Sequence, residues 1–235
     1  MRRVILLCFA WYLIVGEQPA YAQISTCTAT QKAYQCTYLI GSGSMTIGSA
    51  WIVATPKKQG IVVLTAAHWI PKEDQRATRP GAFWITHPAW PQGTRVPLTL
   101  LDYDIRADIA LLISPPRYHL PGLSLANTPL YHYDRVVFIK NGAHIPPHTP
   151  TFVWFLGTST IRMRDHKNTY EQRRDIFLAH PVPFCSGAPI LNSRGRVVAM
   201  MVELEWMTHN HIVTNFGLGV TLRALKTFLY THRIH

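Results

Sequence analysis

From Tyr34 onward the apolar residues fall into short runs, some continuous and some alternating with polar positions, punctuated by Gly, Pro and Asn. A period of two places successive side chains on opposite faces of a strand, and a short unbroken apolar run fits a strand buried on both faces. The pattern predicts strands over Tyr34–Ile40, Met45–Ala54, Gly60–Thr65, Ala82–Thr86, Val96–Tyr103 and Ile109–Ser114. Ser114-Pro115-Pro116 closes this set, and Arg117–Pro129 reads as a connector. A second set follows over Arg135–Lys140, Thr151–Arg162, Arg173–Ala179, Ala188–Leu191, Arg196–Trp206 and His211–Val220. Only Leu222–Thr231 has helical spacing, with Leu222, Leu225, Phe228 and Leu229 on one face and Thr221 placed to cap it.

Two successive strand sets and a final helix predict an all-β fold of two antiparallel six-stranded β-barrels with a C-terminal helix. A single large sandwich fits the same strings. The division is a leader over residues 1–22, a first barrel over 23–125 and a second over 126–235. The leader stands apart because Arg2 and Arg3 precede the apolar run Val4–Val15, and Ala20-Tyr21-Ala22 offers the small alternating residues a signal peptidase needs. That run has 12 residues, short of the ~20 that span a bilayer as a helix. Export to the periplasm or the exterior is therefore expected, without stable membrane insertion after cleavage.

Composition adds a charge argument. With 23 Lys and Arg against 12 Asp and Glu, the chain carries a formal +11, which favours anionic partners such as an acidic surface. The basic residues form no polybasic run and no pattern interleaved with aromatics, so no specific nucleic-acid binding is expected. Of the four cysteines, Cys8 lies in the leader. Cys27 and Cys36 lie close enough in sequence for a disulfide in an oxidising compartment, and unlinked buried thiols are the other reading. His144 with His148, and His209 with His211, are close in sequence, but no four-ligand Cys/His set accompanies them, so no metal and no cofactor are expected.

The chemistry is carried by three segments. Pro183–Asn192 holds Ser186 beside a Gly-containing turn, a setting that presents a hydroxyl at a sharp bend with backbone N–H groups nearby. His68 follows the strand Ile61–Thr65 after the small corner Ala66-Ala67, and Asp108 opens the run Ile109-Ala110-Leu111-Leu112. A base to take a hydroxyl proton, a carboxylate to hold the base in one tautomer, and donors for an oxyanion are what acyl transfer requires. A solvated loop His, a turn Asp and a surface Ser would each explain one segment alone.

Taken together, Val63-Leu64-Thr65-Ala66-Ala67-His68, Ala107-Asp108-Ile109-Ala110-Leu111 and Cys185-Ser186-Gly187-Ala188-Pro189 resemble the His, Asp and nucleophile motifs of the trypsin-like serine peptidases. The likeness is greater to the bacterial high-temperature-requirement type than to the digestive type. Gly48–Val53, Gly195–Val198 and Asn215–Val220 resemble strands of the same family, so the likeness runs from about Gly48 to Phe228. It implies a chymotrypsin-like pair of barrels and a serine endopeptidase acting on protein or peptide substrates. By this resemblance Ser186 is the nucleophile, His68 the base and Asp108 its orienter, and the Phe184 and Ser186 N–H groups form the oxyanion hole. It also puts the specificity pocket at His180, Met201 and Val202. Two positions depart from the family: Phe184 replaces a usual Gly, and Cys185 replaces the activating Asp of digestive members. They motivate a second reading, a catalytically silent two-barrel protein that binds an anionic surface or a partner protein.

Overall fold

The computed structural model describes residues 20–54, 60–70, 79–141, 149–164, 169–179, 184–209 and 212–234. Among the described residues, twelve strands close into two antiparallel barrels. The first is built from β1 (Thr37–Ser42), β2 (Met45–Val53), β3 (Val62–Thr65), β4 (Phe83–Thr86), β5 (Val96–Asp104) and β6 (Ile109–Ile113), in the order β1-β2-β3-β6-β5-β4. The second holds β7 (Arg135–Lys140), β8 (Thr149–Arg164), β9 (Thr169–Leu178), β10 (Pro189–Leu191), β11 (Val197–His209) and β12 (Ile212–Thr221), in the order β10-β11-β12-β9-β8-β7. The two-barrel prediction holds and the single sandwich does not. Closure pairs every strand on both sides and removes the exposed edges that a flat sheet leaves.

The continuous apolar runs have a direct cause. In β2, Ala50 and Ile52 point into the first barrel with Tyr38, Val63, Phe83 and Leu112. Their neighbours Trp51 and Val53 point outward into a second core, shared with Val137, Leu191, Val197 and Met200 of the other barrel. Strands between two cores are buried on both faces and lose the polar half of the alternation. The second barrel is filled by Val136, Phe138, Phe155, Phe177, Ile190 and Met201, among others. The connector is pinned on both sides: Leu123 exchanges hydrogen bonds with Ile52 and Ala54, and Ala126 and Ser124 do the same with Val197.

Two helices complete the described residues. The helix α1 (Ala20–Cys36) precedes β1, and α2 (Leu222–Thr231) ends the chain's second barrel. Helix α2 matches its predicted bounds, with Thr221 Oγ1 accepting from the Ala224 N–H and with Leu222, Leu225, Phe228 and Leu229 buried.

Helix α1 corrects the expectation that only one helix exists and that a strand begins at Tyr34. Its small residues Ala29, Ala33 and Cys36 recur at helical spacing and are buried in the shared core. The helix packs on β7, β8 and β10 of the second barrel, although it precedes the first in sequence. The expected Cys27–Cys36 disulfide is not formed, and Cys36 is a free buried thiol. A helix rising 1.5 Å per residue sets those two positions about 13 Å apart along its axis, far beyond the ~7 Å between Cα atoms that a disulfide can bridge. Burial pushes the Cys36 thiol up to about 11, against the opposing charge of Lys32. No helix among the described residues is long and apolar enough to cross a membrane.

Candidate active site

His68 leaves the end of β3 through the buried corner Ala66-Ala67, and Asp108 stands immediately before β6, which pairs with β3. That pairing, Thr65 opposite Ala110, brings the two side chains to the same end of adjacent strands. His68 Nδ1 lies 2.8 Å from Asp108 Oδ2. Because the carboxylate can only accept, Nδ1 carries the proton and Nε2 is left as the basic nitrogen. The other carboxylate oxygen, Oδ1, accepts from the Ala67 N–H at 2.7 Å and the His68 N–H at 2.8 Å. Asp108 is 7% exposed and has φ 60, a left-handed conformation that Asp tolerates better than most residues. Three hydrogen bonds and a buried backbone hold its carboxylate in one orientation.

Ser186 sits on the second barrel but is docked onto the first. Its carbonyl accepts from the Ser49 N–H at 2.9 Å. Gly187 has φ 90, and a Cβ there would run into the Ser49 carbonyl and Thr65 Oγ1. Only glycine lets the chain pass that close. A Cβ on Gly48 would likewise meet the Ser186 carbonyl and the indole nitrogen of Trp69, the residue after His68. The Ser186 hydroxyl donates to the Val202 carbonyl at 2.9 Å rather than to the imidazole. The structure therefore joins His68 to Asp108 and seats Ser186 against Ser49, with the hydroxyl turned toward β11.

Phe184 takes φ 71, the left-handed region where the resembling family has Gly, and its ring is partly exposed. Among the described residues neither the Phe184 N–H nor the Ser186 N–H has an acceptor. The Phe184 carbonyl accepts from Ser49 Oγ at 2.8 Å, and Ser49 Oγ in turn accepts from Asn141 Nδ2 at 2.9 Å. Cys185 is buried and free, and burial pushes its thiol up to about 11 despite opposing contributions from Asn141 and Lys140. A thiol held protonated behind the turn is a poor nucleophile.

Of the expected pocket residues, Met201 and Val202 lie on β11 and are buried. The Met201 thioether packs where a Cβ on Gly217 would be, next to the Ala179 methyl, inside the second barrel, whereas Val202 joins the core shared between the barrels, so the two side chains lie in different cores. His180 lies outside the described residues, as do His144, His148 and His211, and the side chain of His209 is not described. Among the described residues no cluster of His, Cys, Asp or Glu has the grouping of a metal site.

Three residues at the site carried no assigned role in the sequence reading. Ser49 had a faint signal, as a polar residue inside an otherwise apolar strand. Asn141 had none beyond following β7. Arg174 is one of two arginines on β9, yet it is among the most deeply buried side chains of the described residues.

A two-barrel fold with a hydrogen-bonded His–Asp pair on one barrel and a Ser on a glycine turn of the other defines a class, and sequence comparison agrees with it. The trypsin-like peptidase domain family matches residues 48–200, and the chain belongs to that family. Comparison with curated proteins finds no match. Among solved structures, the active form of the Rv3671c protease from M. tuberculosis superposes with a TM-score of 0.68 at 16% identity, covering 91% of this chain and 87% of that one. The apo MamO protease domain from Magnetospirillum magneticum gives 0.63 at 15% identity, covering 84% and 97%. The serine endoprotease from Yersinia pestis gives 0.62 at 18% identity, covering 92% of this chain and 67% of its own. At such identities these likenesses speak for the fold, and the family match carries the peptidase assignment.

Proposed function

We propose that this peptidase is an exported serine endopeptidase whose nucleophile is Ser186. The observation that carries the reading is the His68–Asp108 pair, with Asp108 fixed by the Ala67 and His68 N–H groups. In the proposed cycle the Ser186 hydroxyl rotates from Val202 to His68 Nε2, gives up its proton, and attacks the scissile carbonyl. The Phe184 and Ser186 N–H groups receive the oxyanion, His68 protonates the departing amine, and water then hydrolyses the acyl-enzyme by the reverse proton path. By the family resemblance the specificity pocket falls at His180, Met201 and Val202, and the two apolar residues among them favour an apolar side chain before the cut. Export rests on the Arg2-Arg3, Val4–Val15 and Ala20-Tyr21-Ala22 pattern of the first 22 residues. Cleavage after Ala22 leaves the buried face of α1 intact, since Ala29, Ala33 and Cys36 follow it.

Replacing Asp108 by Asn tests the assignment at the pair. An amide oxygen can keep the two backbone N–H donors, but the NH2 then faces Nδ1 and forces the proton onto Nε2, the nitrogen that must accept. Peptide hydrolysis by Asp108→Asn should fall by about 10⁴ in kcat with little change in thermal stability, and Ser186→Ala should be inactive on the same substrate. Wild-type turnover in Asp108→Asn would exclude the role of the pair.

A further inference from the structure

We propose that Arg174 is a positioning residue that reaches across the barrel interface to hold Asp108 in the conformation His68 needs; this rests on the serine-peptidase reading above. Arg174 belongs to β9 of the second barrel, where it pairs with Ser159 of β8 and Val220 of β12. Only 2% of it is exposed, an extreme position for a guanidinium. Its Nη1 donates to the carbonyl of Ala107 at 2.8 Å, across 67 residues of sequence.

That acceptor is specific in its consequence. The Ala107 carbonyl belongs to the peptide plane that precedes Asp108, and φ of Asp108 is the rotation of that plane against the carboxylate-bearing carbon. With φ at 60, Asp108 occupies a region that L-residues leave when nothing holds them. A cation hydrogen-bonded to the Ala107 oxygen anchors the plane from one side, while Ala67 and His68 anchor the carboxylate from the other. A charge-assisted bond suits this task, being shorter and stronger than a neutral one. The burial has a cost that packing alone does not explain, since an apolar side chain would fill the same volume without desolvating a charge. Because the base and its orienter sit on one barrel and Ser186 on the other, Arg174 also couples the pair to the barrel that carries the nucleophile.

The test uses the full chain and three substitutions, Arg174→Met, Arg174→Gln and Arg174→Lys. Each is read by kcat and KM on a peptide, by thermal unfolding, and by the downfield proton resonance of the His68 Nδ1–H bonded to Asp108. Arg174→Met should lower kcat by roughly 10²-fold with KM within a factor of about two, and should shift or erase the resonance while the protein stays folded. Should Met fail to fold, Arg174→Gln, which keeps a polar group in the buried site, carries the same expectation. Arg174→Lys, with a single cationic donor on a flexible stem, should recover part of kcat. A folded Met or Gln variant with wild-type kcat and an unmoved resonance would overturn the proposal. So would losses of activity that follow the unfolded fraction alone. The resonance needs no turnover, so a wild-type protein that proved inactive would end the peptidase reading while the clamp on Asp108 was still being measured.

Discussion

Asp108 and Phe184 show how the site holds backbone conformations that other residues would abandon. Asp108 is left-handed but fastened by three hydrogen bonds. Phe184, at φ 71, has a bulky side chain in a region that costs a non-glycine residue about 1–2 kcal/mol. Two truncations separate strain from lost burial. Both remove the ring, but only Gly relieves the backbone, so Phe184→Gly should be more stable than Phe184→Ala by about 1 kcal/mol in urea unfolding. The reverse order, usual elsewhere in a chain, would mean that Phe184 is not strained. At this scale the pairing of His68 with Asp108 could be read in advance because one follows and the other opens an apolar strand. Ser49, Asn141 and Arg174 could not, because their importance lies in contacts 135, 92 and 67 residues away.

Among the elements, strands were legible and one helix was not. The strand bounds follow from turn residues and from β-branched runs, and the structure moves most of them by only a few residues. Helix α2 was visible because its large apolar residues contrast with its polar face. Helix α1 lacked that contrast: its buried positions are Ala and Cys, and the aromatic Tyr34 stands among its exposed Thr, Gln and Lys, so a helical period left no mark. The same blindness made Cys27 and Cys36 look like partners. The β8–β9 pair carries a pH signature. Asp175, opposite Thr158, accepts from its hydroxyl at 2.7 Å beside a cavity of about 440 Å³. Burial raises its carboxyl from 3.8 to about 6, against the opposing effects of Thr158 and Arg173. The native state therefore keeps this proton to a higher pH than the unfolded chain. The stability it contributes is whole below about pH 4 and falls as pH climbs to about 6, by roughly 2–3 kcal/mol. Asp175→Asn keeps an acceptor for Thr158 and removes the titration. It should be more stable than wild type at pH 7, with a flatter pH profile in urea unfolding between 4 and 6. A variant less stable at pH 7 would contradict this.

At the scale of the whole molecule, the shared core between the barrels is what makes the site. Trp51, Leu64 and Ile109 from one barrel and Leu191, Val197 and Val220 from the other lock the two halves together. The Ser49–Ser186 and Ser49–Phe184 bonds then dock the Ser186 turn on the first barrel, and the Arg174–Ala107 bond ties the second barrel to the residue before Asp108. The family was legible from the motifs, because His68, Asp108 and Ser186 each stand in a short local string beside an apolar run. The turned Ser186 hydroxyl was not, since a rotamer leaves no trace in sequence. The central claim is that this hydroxyl is the nucleophile. The most direct measurement is treatment of the folded protein with a fluorophosphonate, followed by peptide mapping. A single adduct on Ser186, absent from Ser186→Ala and slowed in Asp108→Asn, is the predicted result; folded protein that stays unmodified at Ser186 would contradict it.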